Sequence, residues 1–175
     1  MTQHPVPDIR PLMSAFPTGV SVITSLGADE VPWGMTCTSL CSVALDPPTL
    51  LVCLRRGSPT LDAVLGSGAY TINLLHQAAR GTAELFASGD PERFNRVPWT
   101  MEGDACGPHL VEAAHTIADC RVADVREIGD HAVVMGAAIA VTQLSSQWPL
   151  LYGMRRYGAW AESGQDVHLY YDFIS

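Results

Sequence analysis

At 175 residues the chain has the length of one domain with a substantial core and is too short for two ordinary ones. A formal charge of -8, from 10 Lys and Arg against 18 Asp and Glu, together with the lack of any basic run, argues against nucleic acid as a partner. No apolar run reaches the roughly 18 residues of a membrane span, so no membrane is expected either. Hydrophobic residues make up 47% and charged residues 16%, which predicts surface hidden between subunits and a homodimer as the expected assembly.

The first ten residues, MTQHPVPDIR, lack the apolar segment of a secretion signal, and the five cysteines cannot all pair within one chain. Free thiols and a cytoplasmic location are the corresponding expectations. Residues 1–7 are read as a loose arm, with Asp8 capping a short helix that has Pro11 in its first turn. After the stop at residues 16–19, residues 20–24 (VSVIT) form a strand, and the polar turn at 27–30 leads into a second strand near 31–35. A further strand pair is expected from residues 42–45 and 49–54 around the Asp46-Pro47-Pro48 corner. Residues 58–60 open a helix with Leu61, Val64 and Leu65 on one face, closed by Gly66 and Gly68. Residues 69–74 return as a strand, 77–87 suit a helix, and Asp90-Pro91 starts a short helical piece holding Arg93 and Phe94. The stretch 97–108 reads as irregular. Two long strands follow, at 115–127 and 131–144, then a short one at 150–152, and residues 162–175 form a C-terminal tail. Six or seven strands with interposed helices, in no regular alternation, predict a mainly β single domain built as a Greek-key barrel.

The chemistry concentrates between Gly34 and Ser42, where Thr36, Thr38, Ser39 and Ser42 supply four hydroxyls with almost no formal charge. Neutral donors of this kind suit an oxyanion, and the start of the helix at Ser58, Pro59 and Thr60 offers N–H groups to the same end. No G-x-G-x-x-G, Walker or G-x-S-x-G sequence is present, which disfavours a Rossmann dinucleotide site and a hydrolase elbow. Cys37 and Cys41, and Cys106 and His109, do not complete a four-ligand set, so no metal is expected. Taken singly, each residue also has a plainer role. Thr and Ser cap turns, Arg93 pairs with Asp90 or Glu92, His131 bonds to Asp130, and Cys53 and Cys120 act as small buried hydrophobes.

Phe16-Pro17-Thr18-Gly19-Val20, Trp33-Gly34-Met35-Thr36 with Ser39, Asp46-Pro47-Pro48, Ser58-x-Thr60, Arg93-Phe94, Gly129-Asp130-His131 and Arg156-Tyr157-Gly158 follow one another in order. In this the chain resembles the flavin reductase family, the short NAD(P)H:flavin oxidoreductases that supply reduced flavin to two-component monooxygenases. The resemblance runs from about residue 10 to 160. It implies an FMN-binding split β-barrel homodimer with FMN or FAD at the subunit interface, NADH or NADPH as reductant, and a separate flavin-dependent monooxygenase as recipient. Two other readings are a split-barrel flavoprotein that keeps its FMN and oxidises another substrate, and a non-catalytic flavin-binding module.

The resemblance also implies roles for particular residues. Met35, Thr36, Cys37, Thr38 and Ser39 lie along the ribityl-phosphate arm, with Ser58 and Thr60 assisting from the helix start. Pro17, Thr18, Gly19, Cys53 and Leu54 line the isoalloxazine. Arg93 supplies positive charge toward phosphate or dinucleotide, His131 is the catalytic candidate near the nicotinamide, and Tyr157 covers the dinucleotide. Cys37 and Leu40 stand where a small apolar residue and an aromatic are expected. Hydride transfer from nicotinamide to flavin is carried by the cofactors themselves, which accounts for a site with few ionisable groups.

Overall fold

The computed structural model describes residues 6–160, and the expected C-terminal tail lies outside them. The fold is mainly β with three short α-helices and one 3₁₀ turn among the described residues. In chain order the elements are α1 (Arg10–Ala15), β1 (Thr18–Gly19), β2 (Ser21–Leu26), β3 (Pro32–Cys37), β4 (Cys41–Leu45), β5 (Pro48–Arg55), α2 (Pro59–Ser67) and β6 (Ala69–Leu75). There follow α3 (Arg80–Ala87), the 3₁₀ turn Arg93–Asn95, β7 (Ala114–Ile128), β8 (His131–Gln143), β9 (Leu150–Gly153) and β10 (Arg156–Ala159). The strand count exceeds the six or seven expected, because β1 and β10 are too short to carry a pattern of their own and form only by pairing with β9.

Seven strands make an antiparallel sheet in the order β3-β2-β6-β7-β8-β5-β4, and β1-β9-β10 make a second, small sheet. Neither sheet is a closed ring of ladders. The edge strands of the large sheet, β3 and β4, are nonetheless consecutive in the chain, joined by Thr38, Ser39 and Leu40. A link this short spans at most roughly 14 Å between Cys37 and Cys41, so the sheet has to curl until its two edges stand near each other.

Curling gives the sheet a concave and a convex side, and each carries a core. Ile23, Val52, Leu54, Tyr70, Ile72, Cys120 and Val134 pack together on one side. Val20, Val22, Leu75, Phe86, Phe94, Leu110 and Leu150 pack on the other. β2 is therefore covered on both faces, which explains its unbroken apolar and small-residue pattern. On β6 two residues facing the second side, Thr71 and Asn73, are polar, and they fix the irregular segment before β7. Thr71 Oγ1 donates to Asp119 Oδ1, which also accepts from Cys106 N–H, while Asn73 Nδ2 donates to the Pro108 carbonyl and Asn73 Oδ1 accepts from Leu110 N–H. These bonds satisfy backbone groups that the segment has no strand or helix to satisfy.

α2 forms as its sequence predicts, with Ser58 capping, Pro59 in the first turn and Gly68 in the left-handed conformation at its end. Its buried face is Thr60, Leu61, Ala63 and Val64, whereas Leu65 is half exposed and not part of it. At α1 the cap sits one residue further on than expected, at Ile9, although Asp8 Oδ1 does accept from Arg10 N–H. The two long strands β7 and β8 form a hairpin across the turn at Gly129 and Asp130, close to the expected bounds. Along the outer half of β8, Ile139 and Val141 are exposed.

Candidate functional site

Two cavities open side by side where β3 runs into the link to β4. The first is lined by Thr18, Gly19, Val20, Ser21, Thr38, Leu40 and Leu74. The second is lined by Met35, Thr36, Cys37, Thr38, Ser39, Cys53, Arg55 and His131. Thr38 belongs to both, and around it the two cavities adjoin as a two-part recess. The structure brings together nine of the residues singled out from the sequence: Thr18, Gly19, Met35, Thr36, Cys37, Thr38, Ser39, Cys53 and His131. Pro17, Leu54, Ser58, Thr60, Arg93 and Tyr157 line neither cavity. Leu54 and Thr60 are buried, and Pro17 packs against Gly153.

The hydroxyls of this region are less available than the sequence suggests. Thr36 Oγ1 donates to the Ala83 carbonyl at 2.6 Å, tying β3 to α3. Ser39 Oγ donates to the Cys53 carbonyl at 3.1 Å, accepts from Cys53 N–H at 2.9 Å and lies 3.0 Å from the Cys37 thiol. One proton and two lone pairs are then fully committed. Ser58 Oγ accepts from Leu61 N–H and donates to the Arg55 carbonyl. Thr38 is exposed and makes no hydrogen bond among the described residues, so its hydroxyl is free. Thr18 Oγ1, in the wall of the first cavity, is buried with no partner. An unsatisfied buried hydroxyl is costly unless something bound in the recess meets it, and the carbonyls, ring nitrogens and ribityl hydroxyls of a flavin are groups of that kind.

The charged residues also sort themselves differently. His131 opens β8 with its Nδ1 2.8 Å from Asp130 Oδ1. That hydrogen bond, reinforced by the imidazole charge, holds the Asp130 carboxyl below its ordinary range. Bonding at Nδ1 leaves Nε2 as the nitrogen open to another group. Burial pushes the Cys37 thiol up, so it sits in the recess as a neutral, weakly polar wall.

Arg93 is buried, with Nη1 donating to the Asp90 carbonyl at 2.7 Å and the guanidinium 5.5 Å from the Trp33 ring centroid. The Asp90 carboxylate pairs with Arg96 instead. Arg93 lines neither cavity, and among the described residues the cation in the recess is Arg55, a residue not among those singled out from the sequence. A signal for it existed: Cys53 and Arg55 are two apart on one strand and share a face. Tyr157 stands on β10 opposite Tyr152, with Arg80 over its ring.

The family model described as "Flavin reductase like domain" matches residues 13–161. The chain belongs to this family. A flavin reductase (NADPH) of Lentzea aerocolonigenes is 48% identical over 157 residues, covering 90% of this chain and 91% of the relative. The reductase subunit HsaB of a flavin-dependent monooxygenase of Mycobacterium tuberculosis is 31% identical over 140 residues, covering 80% and 73%. Among solved structures, the Streptomyces globisporus NADH:FAD oxidoreductase SgcE6, in complex with NAD and FAD fragments, superposes with a TM-score of 0.83 at 26% identity. The match covers 90% of this chain and 93% of that one.

Proposed function

We propose that this protein is an NAD(P)H:flavin oxidoreductase that reduces free FMN or FAD and hands the reduced flavin to a separate flavin-dependent monooxygenase. The observation that carries this reading is the recess centred on Thr38, lined by residues from the segments that match the family and containing the unpartnered Thr18 hydroxyl. Bound flavin would supply the hydride acceptor at N5, and the nicotinamide would supply the hydride.

The residues of the chain bind, orient and exclude water. The backbone of Thr18 and Gly19 edges the isoalloxazine, Thr38 donates to the ribityl-phosphate arm, and Met35, Cys37 and Leu40 give it apolar walls. His131, held by Asp130, orients the nicotinamide. Orientation of two stacked cofactors accounts for most of the rate such a site needs.

The rest of the reading follows. The described residues form part of a single flavin reductase-like domain working in the cytoplasm, and the curled sheet is one subunit of a split-barrel homodimer. Exposed apolar residues on β4 and the outer half of β8 support that assembly. No helix among the described residues is long and apolar enough to cross a membrane.

The test is to mix the purified protein with NADH or NADPH and each of riboflavin, FMN and FAD, and follow nicotinamide oxidation. The expected result is turnover that rises and saturates with added free flavin over many equivalents. Oxidation that stops at one equivalent of bound flavin would refute the reading and favour a flavoprotein with a resident cofactor.

A further inference from the structure

Both substrates of the proposed reaction are phosphate-bearing anions, yet the protein carries a net charge of -8. Long-range repulsion therefore works against binding, and the recess needs a local cation. Its obvious sources are absent. Arg93 is buried against Trp33. The start of α2 offers little, because Pro59 has no N–H, Leu61 N–H is held by Ser58 Oγ and Asp62 N–H by the Ser58 carbonyl. Ser39, Thr36 and Ser58 have no donor left.

We infer that Arg55 is the phosphate-recognising residue of the site, pairing with a phosphate of the flavin or with the 2′-phosphate of the dinucleotide; this rests on the flavin reductase reading. Arg55 is the last residue of β5, stands opposite His131 in the sheet, and is the one permanently charged residue among the described residues that line either cavity. It is exposed and makes no ion pair among the described residues. Its neighbour Arg56 shows the contrast, since that side chain bonds to the Gly129 carbonyl and to Glu127. Asp130 feels the Arg55 charge, but its carboxylate is engaged by His131. A guanidinium left without a carboxylate at the mouth of a neutral recess presents a two-pronged donor suited to phosphate oxygens.

The test compares the wild-type protein with Arg55→Gln and Arg55→Lys, using riboflavin, FMN and FAD, with NADH and NADPH, at low and high salt. Riboflavin shares the ring and ribityl chain of FMN without its phosphate. If the phosphate is the flavin's, Arg55→Gln raises KM and Kd for FMN and FAD about tenfold while riboflavin changes less than about twofold. If it is the 2′-phosphate of the dinucleotide, KM for NADPH rises and that for NADH does not. Either result supports the inference, as does loss of the salt dependence of KM in Arg55→Gln and its retention in Arg55→Lys. Equal change for riboflavin and FMN together with equal change for NADH and NADPH, or no change at all, would overturn it. Flavin titration by fluorescence reads the flavin arm even without turnover. Wild-type protein that binds FMN but oxidises no nicotinamide would count against the reductase reading, while the Arg55 comparison would still be decided by the titrations.

Discussion

Ser39 Oγ bonds both backbone groups of Cys53, donating to its carbonyl at 3.1 Å and accepting from its amide at 2.9 Å. The serine lies in the link after β3, at one end of the large sheet, and the cysteine lies on β5 near the other. One side chain thus stands in for the ladder bonds that would close the sheet, and it does so at the floor of the recess. Ser39→Ala should leave the Cys53 amide and carbonyl unpaired on that side, at a cost of roughly 1–3 kcal/mol. Urea unfolding should show that loss, and flavin affinity should fall with it. Unchanged stability would mean that the sheet ends are held by packing alone.

Tyr70 presents the opposite case, a buried polar group without a partner. Its ring is fully enclosed and its hydroxyl meets no hydrogen-bond partner, with the Cys120 thiol as a weakly polar neighbour. Burial drives the phenol pKa strongly up, so it stays neutral at any working pH. Tyr70→Phe should stabilise the fold by about 1 kcal/mol, since an unpaired hydroxyl is replaced by nothing. Gly136→Ala should do the reverse, because a Cβ there would fall within 2.8 Å of the ring carbon bearing that hydroxyl. Thermal unfolding of the two single variants and the double variant measures both effects and their coupling.

Much of this was legible in the sequence. β2, β6 and the β7–β8 hairpin announce themselves through β-branched residues and Gly129-Asp130, and the Ser58-Pro59 start of α2 is a capping signal that local chemistry enforces. The spacing of hydroxyls in residues 36–39 also marked the recess correctly as a place. It did not show which hydroxyls were free, because Thr36 and Ser39 are committed to Ala83 and Cys53, 47 and 14 residues away. The sequence likewise does not separate Arg93, which lines neither cavity, from Arg55, which does. A positive charge in the sequence looks the same whether it ends over a tryptophan or at a cavity mouth, and only tertiary packing decides.

A third prediction concerns acid. Asp119 is buried, which alone would raise its pKa, but donation from His109, Thr71 Oγ1 and the Cys106 amide together outweighs that and lowers it. A carboxylate with a depressed folded-state pKa contributes stability above its unfolded value, about 3.9, and loses it as pH falls through the folded value. Stability should therefore decline below about pH 4, and Asp119→Asn should flatten that decline. Urea midpoints measured from pH 3 to 7 test this. An equally steep acid limb in the variant would assign the effect to other carboxylates.

Under the proposed function His131 orients a nicotinamide rather than holding the flavin. His131→Ala should lower turnover about tenfold while flavin Kd changes little, because a small error in alignment acts on the reacting geometry. Asp130→Asn should show a weaker version, since it removes the charge that fixes the imidazole but keeps a hydrogen-bond acceptor. Steady-state rates beside flavin titration separate the two quantities. Parallel loss of turnover and affinity would make His131 a structural residue of the hairpin.

The last prediction concerns the exposed apolar surface. Leu45 is 85% exposed and Val43 half exposed on the edge strand β4, and Val141 is 68% exposed on the outer half of β8, with Ile139 and Leu144 near it in sequence. A bare edge strand and exposed aliphatic side chains are hazards unless a second copy covers them. If a homodimer buries this surface, Val141→Asp would place a charge in a dry interface at a cost of several kcal/mol. The variant should then sediment as a monomer with an unchanged far-ultraviolet spectrum, and Leu45→Asp should weaken the same assembly. A wild-type protein that sediments as a monomer, or a Val141→Asp variant that remains as tightly dimeric as the wild type, would place the interface elsewhere or remove it.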